Sequence, residues 1–435
     1  MAHLECSVCG KKFELSYLTE GHYVCDVDEA NLNFIHDYEA IAKDVRENGL
    51  NREQKNNMFR YSAFLPVDSS KLAERAPAVP VGGTPLVSAP RLAKELGIPS
   101  CNLWLKDDSK NPTGSLKDRA SSLLVVRMQE DGAPVITTAS TGNAGAALAG
   151  MCASTPVRQK AYIFVPKTAP AAKIAQLQIF GAEVILVDGT YDDAFALCLE
   201  ASSKHGWYCR NTGYNAYTAE GKKTVSLEMC EQLAHGGQFG CVHHAQFVAP
   251  DYVAVSVGDG NIITGVYKGL RDLYKAGLIE KMPKLVGVNS DKSNWCATAW
   301  KKNLTPAEML TMEPVEANTR ADSISAGIAR DGINAVQAIR DTQGCFVEVD
   351  DDSILAHIKT VSQATGVFPE PAAACAAAGI TKLASKGYFE GGSTVVAVMT
   401  GTGIKDIPAA VSVCGEPFVL KRREDGQFHL EDFMQ

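Results

Sequence analysis

Short apolar runs alternate with longer amphipathic stretches through most of this chain, and that alternation constrains its fold more than any other feature. The apolar runs include "APVITTA", "AYIFVP", "DYVAVSV" and "STVVAVMTG". Strands that alternate with helices form βαβ units, in which the strands run parallel. We therefore predict an α/β fold with two parallel sheets and with ligand sites in the glycine-bearing loops after the strands.

Composition excludes several function classes. The chain has 435 residues, a formal net charge of −8 and no long basic block, which argues against a nucleic-acid or anionic-membrane partner. Neither a membrane-length apolar run nor a secretory signal is present in the sequence, so we expect a cytoplasmic protein whose thirteen cysteines are reduced. A small-molecule partner is the remaining expectation.

The stretch "NPTGSLKDRA", residues 111–120, begins with turn formers and ends with residues that can open a helix. Lys117 therefore sits where a loop meets a helix. A lysine there either solvates a helix face or acts as an amine nucleophile beside a cofactor. The second interpretation requires a phosphate site elsewhere in the chain.

Two loops offer anion sites at helix starts. In "ASTGNAGAALAG", free N–H groups near Ser140, Thr141 and Asn143 suit a carboxylate, although these residues are also ordinary helix caps. The glycines of "SVGDGNIITG" match neither the dinucleotide nor the Walker spacing, which leaves a tight turn or a compact cradle for one phosphate. The cradle residues are Gly258, Asp259, Gly260, Asn261 and Ile262.

A third loop, "MTGTGIKD", follows a strongly apolar strand and carries Thr400. Its neutral hydroxyl can hydrogen-bond an aromatic ring nitrogen without stabilising the protonated ring. A hydroxyl partner makes the ring a weaker electron sink than a carboxylate partner does, which suits elimination and replacement.

Seven motifs occur in an order that resembles one enzyme family. They are "GGTPL", "WLKDDSKNPTGSLKDRA", "ASTGNAG", "EGKKT", "VGDGNIITG", "GVFPEPAAA" and "VMTGTGIKD". Over roughly residues 80–410 the chain resembles the threonine synthase family of pyridoxal-phosphate enzymes. The resemblance implies pyridoxal 5'-phosphate as cofactor and the tryptophan synthase β-like fold, fold type II, with two domains that each contain a parallel sheet.

The resemblance also implies residue roles. Lys117 becomes the Schiff-base lysine and later the base that moves the α-proton. Asn143 lies beside the ring 3-hydroxyl, Thr400 meets the pyridine nitrogen, and the loop 258–262 holds the cofactor phosphate. Two hydroxyl side chains face the substrate carboxylate, those of Ser140 and Thr141.

The implied reaction is elimination or replacement at Cβ or Cγ of a small amino acid, with phosphohomoserine to threonine as the leading assignment. The second is β-elimination or β-replacement on a serine- or phosphoserine-like substrate, as in a dehydratase or a cysteate-synthase-like enzyme. The alternative outside enzymes is a regulator that binds the cofactor without turnover. Thr400 argues against it, because storing the cofactor does not require a residue that tunes its ring nitrogen. We expect a homodimer.

Two positions depart from the family pattern. Members that use phosphohomoserine usually read S-T-G-N-T and R-x-E-G, where this chain has Ala144 and Thr218. The missing threonine and arginine belong to the pocket for the substrate's phosphate, and neither replacement restores the arginine's charge. The substrate is therefore not phosphohomoserine, or another cation completes the pocket. The candidate cations are Arg210, Lys222 and Lys223.

The amino terminus departs as well. "CSVCG" and Cys25 resemble the first three ligands of the zinc ribbon that precedes some family members, but the fourth position is Asp28. Asp28 or His22 could complete a site. Structural zinc strongly prefers Cys and His, so we expect a degenerate ribbon that packs without metal.

We predict four units from these patterns. Residues 1–30 form the ribbon-like segment, 31–122 with 213–420 the large cofactor-binding domain, 123–212 the small domain, and 421–435 a C-terminal tail. Within the large domain, "GVFPEPAAA" opens a helix near the active site. Glu370 in this motif is equally well explained as a charge that stabilises the helix N-terminus.

Overall fold

A computed structural model describes residues 2–54 and 56–432, so the last three residues of the predicted tail 421–435 lie outside the described part. The strands are β1 (His3–Cys6), β2 (Lys12–Phe13), β3 (Leu32–Ile35), β4 (Leu86–Ser88), β5 (Asn102–Asp107), β6 (Val135–Ala139), β7 (Lys160–Pro166), β8 (Glu183–Val187), β9 (Tyr208–Cys209), β10 (Tyr252–Ser256), β11 (Lys284–Ser290), β12 (Cys345–Val349) and β13 (Thr394–Met399).

The α-helices are α1 (Ser16–Thr19), α2 (Tyr38–Asn48), α3 (Leu72–Arg75), α4 (Pro90–Glu95), α5 (Lys117–Glu130), α6 (Asn143–Ser154), α7 (Ala171–Ile179), α8 (Tyr191–His205), α9 (Tyr217–Lys222), α10 (Thr224–Ala234), α11 (Asn261–Lys275), α12 (Trp295–Lys301), α13 (Pro306–Leu310), α14 (Gly332–Asp341), α15 (Asp351–Thr365), α16 (Pro371–Ala384) and α17 (Ile407–Val411). In the part of the chain that the structure describes, no helix combines the length and the apolar character needed to cross a membrane.

The larger sheet has the strand order β12-β11-β10-β13-β5-β4, and every neighbouring pair is parallel except β4 with β5. Strand β10 shows why its strands are apolar throughout. Val253 and Val255 join one hydrophobic core while Tyr252 and Ala254 join the core on the opposite face. Successive side chains of a strand point to opposite faces, so a sheet covered on both sides needs apolar residues at every position.

The smaller sheet has the order β8-β7-β6-β9, with all pairs parallel. The predicted α/β fold with two parallel sheets is thus confirmed. All four strands fall within the predicted small domain, 123–212. Helix α5 runs through its predicted boundary after residue 122, and the division into domains remains a prediction.

The predicted ribbon-like segment forms a small antiparallel sheet with the order β2-β1-β3. Its third strand lies just beyond the predicted end at residue 30. Asn31 donates to the carboxylate of Asp331 (2.9 Å) and Asn33 donates to the side chain of Asn334 (2.8 Å), which joins this sheet to the start of α14.

A buried ion network fixes the segment that leads to Lys117. The carboxylate of Glu228 on α10 is fully buried and accepts hydrogen bonds from Lys106 on β5 (2.5 Å) and Arg119 on α5 (3.0 Å). It also accepts from the backbone N–H groups of Gly83 (2.8 Å) and Thr84 (2.9 Å). One carboxylate therefore joins the glycine-rich lead-in, the strand β5 and the helix that begins with the candidate lysine.

The charges within this network are paired with charges of opposite sign. Arg119 also donates to Asp108 through Nε (2.7 Å) and Nη2 (2.8 Å). Burial alone would raise the pKa of Glu228, but the charges of Arg119 and Lys106 hold that pKa well below its usual range. The two cations are fully buried and depend on this carboxylate.

We expect Glu228→Gln to lower the free energy of unfolding by about 3 to 5 kcal/mol, because it removes one partner of a buried ion network. Urea unfolding of the purified protein measures the change. The exposed residue Glu280 provides the control, since Glu280→Gln should change stability by less than about 0.5 kcal/mol. Equal stabilities for the two variants would contradict this role of Glu228.

Candidate active site

All ten candidate site residues from the sequence line a single cavity of about 1050 Å³. The cavity lies where loops leave the carboxyl ends of β6 and β9 in the smaller sheet and of β10 and β13 in the larger sheet. This placement follows the rule that open parallel sheets bind ligands beyond the carboxyl ends of their strands. The ten residues are Lys117, Ser140, Thr141, Asn143, Gly258, Asp259, Gly260, Asn261, Ile262 and Thr400.

The loop that precedes Lys117 is held at both ends. Asp118 accepts hydrogen bonds from the backbone N–H (2.7 Å) and the hydroxyl (2.5 Å) of Thr113. The backbone N–H of Leu116 donates to the carbonyl oxygen of Thr400 (2.9 Å), which ties this loop to the one after β13. Lys117 thus begins α5 from a fixed position, as a nucleophile must.

The environment of Lys117 favours the neutral amine. Burial lowers the pKa of Lys117, while the carboxylate of Glu370 opposes that shift and the charge of Arg210 adds to it. A lysine whose pKa falls in this way exposes a free electron pair at lower pH than a surface lysine does. The site can therefore present Lys117 as a nucleophile or as a base.

The loop between β10 and α11 is a close-fitting cradle. A Cβ atom on Gly258 would lie 2.6 Å from the Cα atom of Ile324, and one on Gly260 would lie 2.8 Å from the carbonyl oxygen of Asp331. Gly260 also has a φ of +86°, which favours glycine. Only glycines let the backbone pack here and turn its free N–H groups at the start of α11 toward a ligand.

Polar groups around this cradle fit a phosphate. Lys222 is fully buried and donates to the side-chain oxygen of Asn261, whose amide donates to Asp331 (2.7 Å). The hydroxyl of Ser256 lies buried at the cavity without a partner in the described residues. A bound phosphate would supply the missing acceptor and compensate the charge of Lys222.

The loop between β6 and α6 brings Asn143 against a carboxylate. The side-chain amide of Asn143 donates to both carboxylate oxygens of Glu370 (3.0 Å each) and to the hydroxyl of Ser323 (3.3 Å). Ser140 and Thr141 lie beside it, half-buried in the cavity wall. The free N–H groups at the start of α6 are available to an anion at this point.

Sequence reasoning assigned neither Ser256 nor Glu370 to the site. For Glu370, the position before Pro371 has a sufficient explanation as a helix N-terminal charge. It does stand at the N-cap of α16, but its carboxylate is buried in the cavity wall. Burial raises the pKa of Glu370, against the opposing effects of Asn143 and Lys117. The motif "GVFPEPAAA" was the sequence signal that could have identified Glu370 as a site residue.

The positions that depart from the family pattern separate in the structure. Ala144 lines the cavity, whereas Thr218 is buried outside the lining and donates its hydroxyl to the carbonyl oxygen of Asn215 (2.8 Å). Of the three candidate cations, Arg210 and Lys222 line the cavity. Lys223 instead pairs with two buried carboxylates, those of Glu220 (2.6 Å) and Asp272 (2.7 Å).

Comparisons with known proteins agree with this geometry. Residues 78–401 match the family model described as pyridoxal-phosphate dependent enzyme. The threonine synthase of Methanocaldococcus jannaschii is 32% identical over 418 residues, which cover 96% of each chain. The threonine synthase of Methanosarcina acetivorans is 33% identical over 432 residues, covering 98% of this chain and 97% of that one.

A solved structure supports the fold. The processed threonine deaminase isoform 2 of Solanum lycopersicum superposes with a TM-score of 0.63 at 21% identity, covering 84% of this chain and 94% of that one. The predicted fold class, family and cofactor are therefore confirmed. The chain belongs to the threonine synthase family of pyridoxal-phosphate-dependent enzymes.

Proposed function

We propose that this enzyme eliminates or replaces a group at Cβ or Cγ of a small amino acid, with the conversion of phosphohomoserine to threonine as its leading reaction. One observation carries the proposal: the amine of Lys117, the glycine cradle 258–262 and the start of α6 face one cavity. Threonine synthases align with nearly the whole chain, which favours the leading reaction. A cytoplasmic homodimer, expected from the sequence, belongs to this proposal.

The cavity has a place for each part of pyridoxal phosphate. The cradle 258–262, with Lys222 and Ser256, would hold the phosphate, Asn143 would lie beside the ring hydroxyl, and Thr400 would meet the ring nitrogen. When bound, the cofactor supplies an electron sink for the pair left on the substrate's α-carbon. A hydroxyl at the ring nitrogen leaves that nitrogen unprotonated more readily than a carboxylate does.

Lys117 would move the proton. Because burial lowers its pKa, a larger share of its Nζ is neutral near pH 7 and can accept the substrate's α-proton. The hydrogen bond from Leu116 to Thr400 keeps the start of α5 fixed against the loop after β13. Nζ can therefore return the proton to a neighbouring carbon without a change in the backbone.

The start of α6 would orient the substrate. Its free N–H groups and the hydroxyls of Ser140 and Thr141 offer donors to the α-carboxylate. Asn143 and Glu370 hold each other at the same end of the helix, so this wall does not depend on the ligand for its shape. A carboxylate bound here places the α-carbon at a fixed distance from Lys117.

A second reaction has its own supporting observation. Ala144 lines the cavity where phosphohomoserine-using members usually have threonine, so one hydroxyl donor is absent from the wall. Elimination or replacement at Cβ of a phosphoserine-like substrate fits a pocket with this difference. The two reactions differ in whether the leaving group departs from Cγ or from Cβ.

We expect Lys117→Ala to abolish the cofactor's attachment and to lower turnover by at least about 10²- to 10⁴-fold, the usual contribution of a positioned proton-transfer group. Borohydride reduction followed by peptide mapping identifies the modified lysine. Lys110 is exposed in the same segment, and Lys110→Ala should keep both attachment and turnover. Modification of another lysine in the native enzyme would contradict the assignment of Lys117.

Turnover assays distinguish the two reactions. The purified enzyme with its cofactor is incubated separately with phosphohomoserine, phosphoserine, serine and threonine, and phosphate, threonine and 2-oxo acids are measured. We expect phosphate and threonine from phosphohomoserine. Phosphate from phosphoserine alone would favour the second reaction, and no product from any of the four would contradict the proposed function.

A further inference from the structure

We propose that Arg210 binds the anionic leaving group of the substrate, so that the substrate is a phosphorylated rather than an uncharged amino acid. The proposal rests on the proposed function and specifies its substrate class. Arg210 follows β9, and its backbone N–H donates to the carbonyl oxygen of Thr137 on β6 (2.8 Å). Its side chain is fully buried and lines the cavity.

The guanidinium of Arg210 is only partly satisfied. Nε donates to the hydroxyl of Ser121 (3.2 Å) and Nη1 donates to the hydroxyl of Thr212 (2.7 Å). Nη2 is buried and has no hydrogen-bond partner among residues 2–54 and 56–432, and no described carboxylate lies within 4.0 Å of the group. The two N–H groups of Nη2, the second N–H of Nη1 and a full positive charge thus remain for a ligand.

Buried cations outside the cavity are paired with carboxylates. Arg119 is paired with Asp108 and Glu228, and Lys223 is paired with Glu220 and Asp272. A buried charge without a partner is costly, and burial lowers the pKa of Arg210 to about 10. An anion that enters the cavity would remove that cost.

The hydrogen bonds of Arg210 anchor it on the side of the cavity that the smaller sheet forms. Lys222 contacts Asn261 in the cofactor's phosphate cradle, whereas the hydrogen bonds of Arg210 go to Ser121 on α5 and to Thr212 beside the smaller sheet. The smaller sheet also supplies the loop at the start of α6, where we place the substrate's carboxylate. Arg210 is therefore assigned to the substrate's second anion, and it supplies the charge that Thr218 lacks.

Arg210→Gln tests this assignment in the enzyme with bound cofactor. Dissociation constants for phosphohomoserine, phosphoserine and serine are measured from changes in the cofactor's visible spectrum, and the constant for the cofactor itself is measured separately. We expect the phosphorylated compounds to bind about 10- to 150-fold more weakly, as when a charge-assisted hydrogen bond is lost. Binding of serine and of the cofactor should change by less than about twofold.

Three results would overturn the assignment. The Gln variant could lose the cofactor, which would place Arg210 at the cofactor phosphate; it could weaken serine as much as phosphoserine; or it could bind all compounds as the native enzyme does. Arg210→Lys keeps the positive charge, so it should retain part of the affinity that Arg210→Gln loses. It serves as the second variant if the Gln variant folds poorly. Arg158 is exposed, and Arg158→Gln is the control that should leave all constants unchanged.

Failure of the proposed function is distinguishable from failure of this assignment. Inorganic phosphate is added to the enzyme with bound cofactor and its affinity is measured by calorimetry, which requires no turnover. Phosphate binding that disappears in Arg210→Gln supports the anion site even if none of the four amino acids reacts. Equal phosphate affinity in both proteins contradicts it.

We also infer, from an independent cluster, that the amino-terminal segment binds a tetrahedral metal ion, with zinc as the ion its donors favour. This inference replaces the expectation of a degenerate ribbon that packs without metal. One ligand atom from each of four side chains lies within 4.8 Å of all the others. Two matched turns supply them, C-x-x-C and C-x-x-D. The four residues are Cys6, Cys9, Cys25 and Asp28.

The distances within this cluster suit one ion. The sulfur atoms of Cys9 and Cys25 are 3.7 Å apart, and tetrahedral zinc with bonds of about 2.3 Å separates two sulfurs by about 3.8 Å. The sulfur of Cys6 lies 3.2 and 3.4 Å from the carboxylate oxygens of Asp28, against about 3.5 Å for a sulfur and an oxygen on zinc. An ion would enter with little rearrangement.

Backbone donors support the cluster. The N–H of Val8 lies 3.3 Å from the sulfur of Cys6, and the N–H of Val27 lies 3.4 Å from that of Cys25, in the same place in each turn. Hydrogen bonds from outer groups orient the ligands of a metal site. His22 stacks on Tyr17 and is outside the group, so Asp28 is the fourth ligand.

A second group of possible metal ligands differs from the cysteine cluster in the cations beside it. His36, Glu220 and Asp272 also bring their donor atoms together, but the ammonium of Lys223 contacts all three of them. Lys268 pairs with Glu220 as well (2.8 Å). These acids are neutralised by lysines, whereas the cysteine cluster contains no cation.

Metal analysis of the full-length protein, purified without chelators, tests the site. We expect about one zinc per chain, lost in Cys25→Ser and retained in Cys414→Ser, whose cysteine is exposed and distant in sequence. Should the Cys25 variant fail to fold, cobalt substitution of the native protein gives thiolate bands and a tetrahedral visible spectrum. Absence of zinc and cobalt binding, or a disulfide between Cys9 and Cys25, would overturn the inference.

Discussion

The buried contact between Arg119 and Glu228 is the interaction on which the site depends. It joins α5 to α10. The same carboxylate also fixes the strand β5 through Lys106 and the glycine-rich lead-in through two backbone N–H groups. Lys117 begins α5 two residues before Arg119. A flexible amine must be held where a cofactor can meet it, and here a compensated charge network holds the backbone while the amine remains free in the cavity.

Charge is distributed differently inside and outside the cavity. Arg119 and Lys223 are paired with carboxylates, so their role is structural. The attraction between the paired charges offsets the cost of removing them from water. Arg210 and Lys222 line the cavity without a carboxylate partner in the described residues, and Ser256 leaves a hydroxyl unused there. This difference leaves two buried cations of the cavity available to anionic ligands.

The sequence was most informative where local patterns decide the structure. Apolar runs identified β10 and β13, and the loops after them carry site residues because parallel strands end at one edge. Strand β5 was harder to identify, since Lys106 appears as a surface charge until Glu228 is placed beside it. The contact of Glu370 with Asn143 and the unpaired Nη2 of Arg210 depend on how two sheets meet, which single-sequence patterns do not contain.

The central claim is that one cavity holds two anions at separate places, the cofactor's phosphate and the substrate's phosphate. Lys117 acts on the cofactor and on the substrate that carry them. A crystal structure of the enzyme with pyridoxal phosphate and a phosphorylated amino acid tests this claim most directly. The account predicts cofactor phosphate in the cradle 258–262 and the second phosphate on Arg210. It also predicts a covalent bond between the cofactor and Lys117 Nζ in crystals grown without the amino acid, because Nζ must be free to accept the α-proton once the amino acid is bound. Cofactor phosphate on Arg210, or a covalent bond to another lysine, would contradict it.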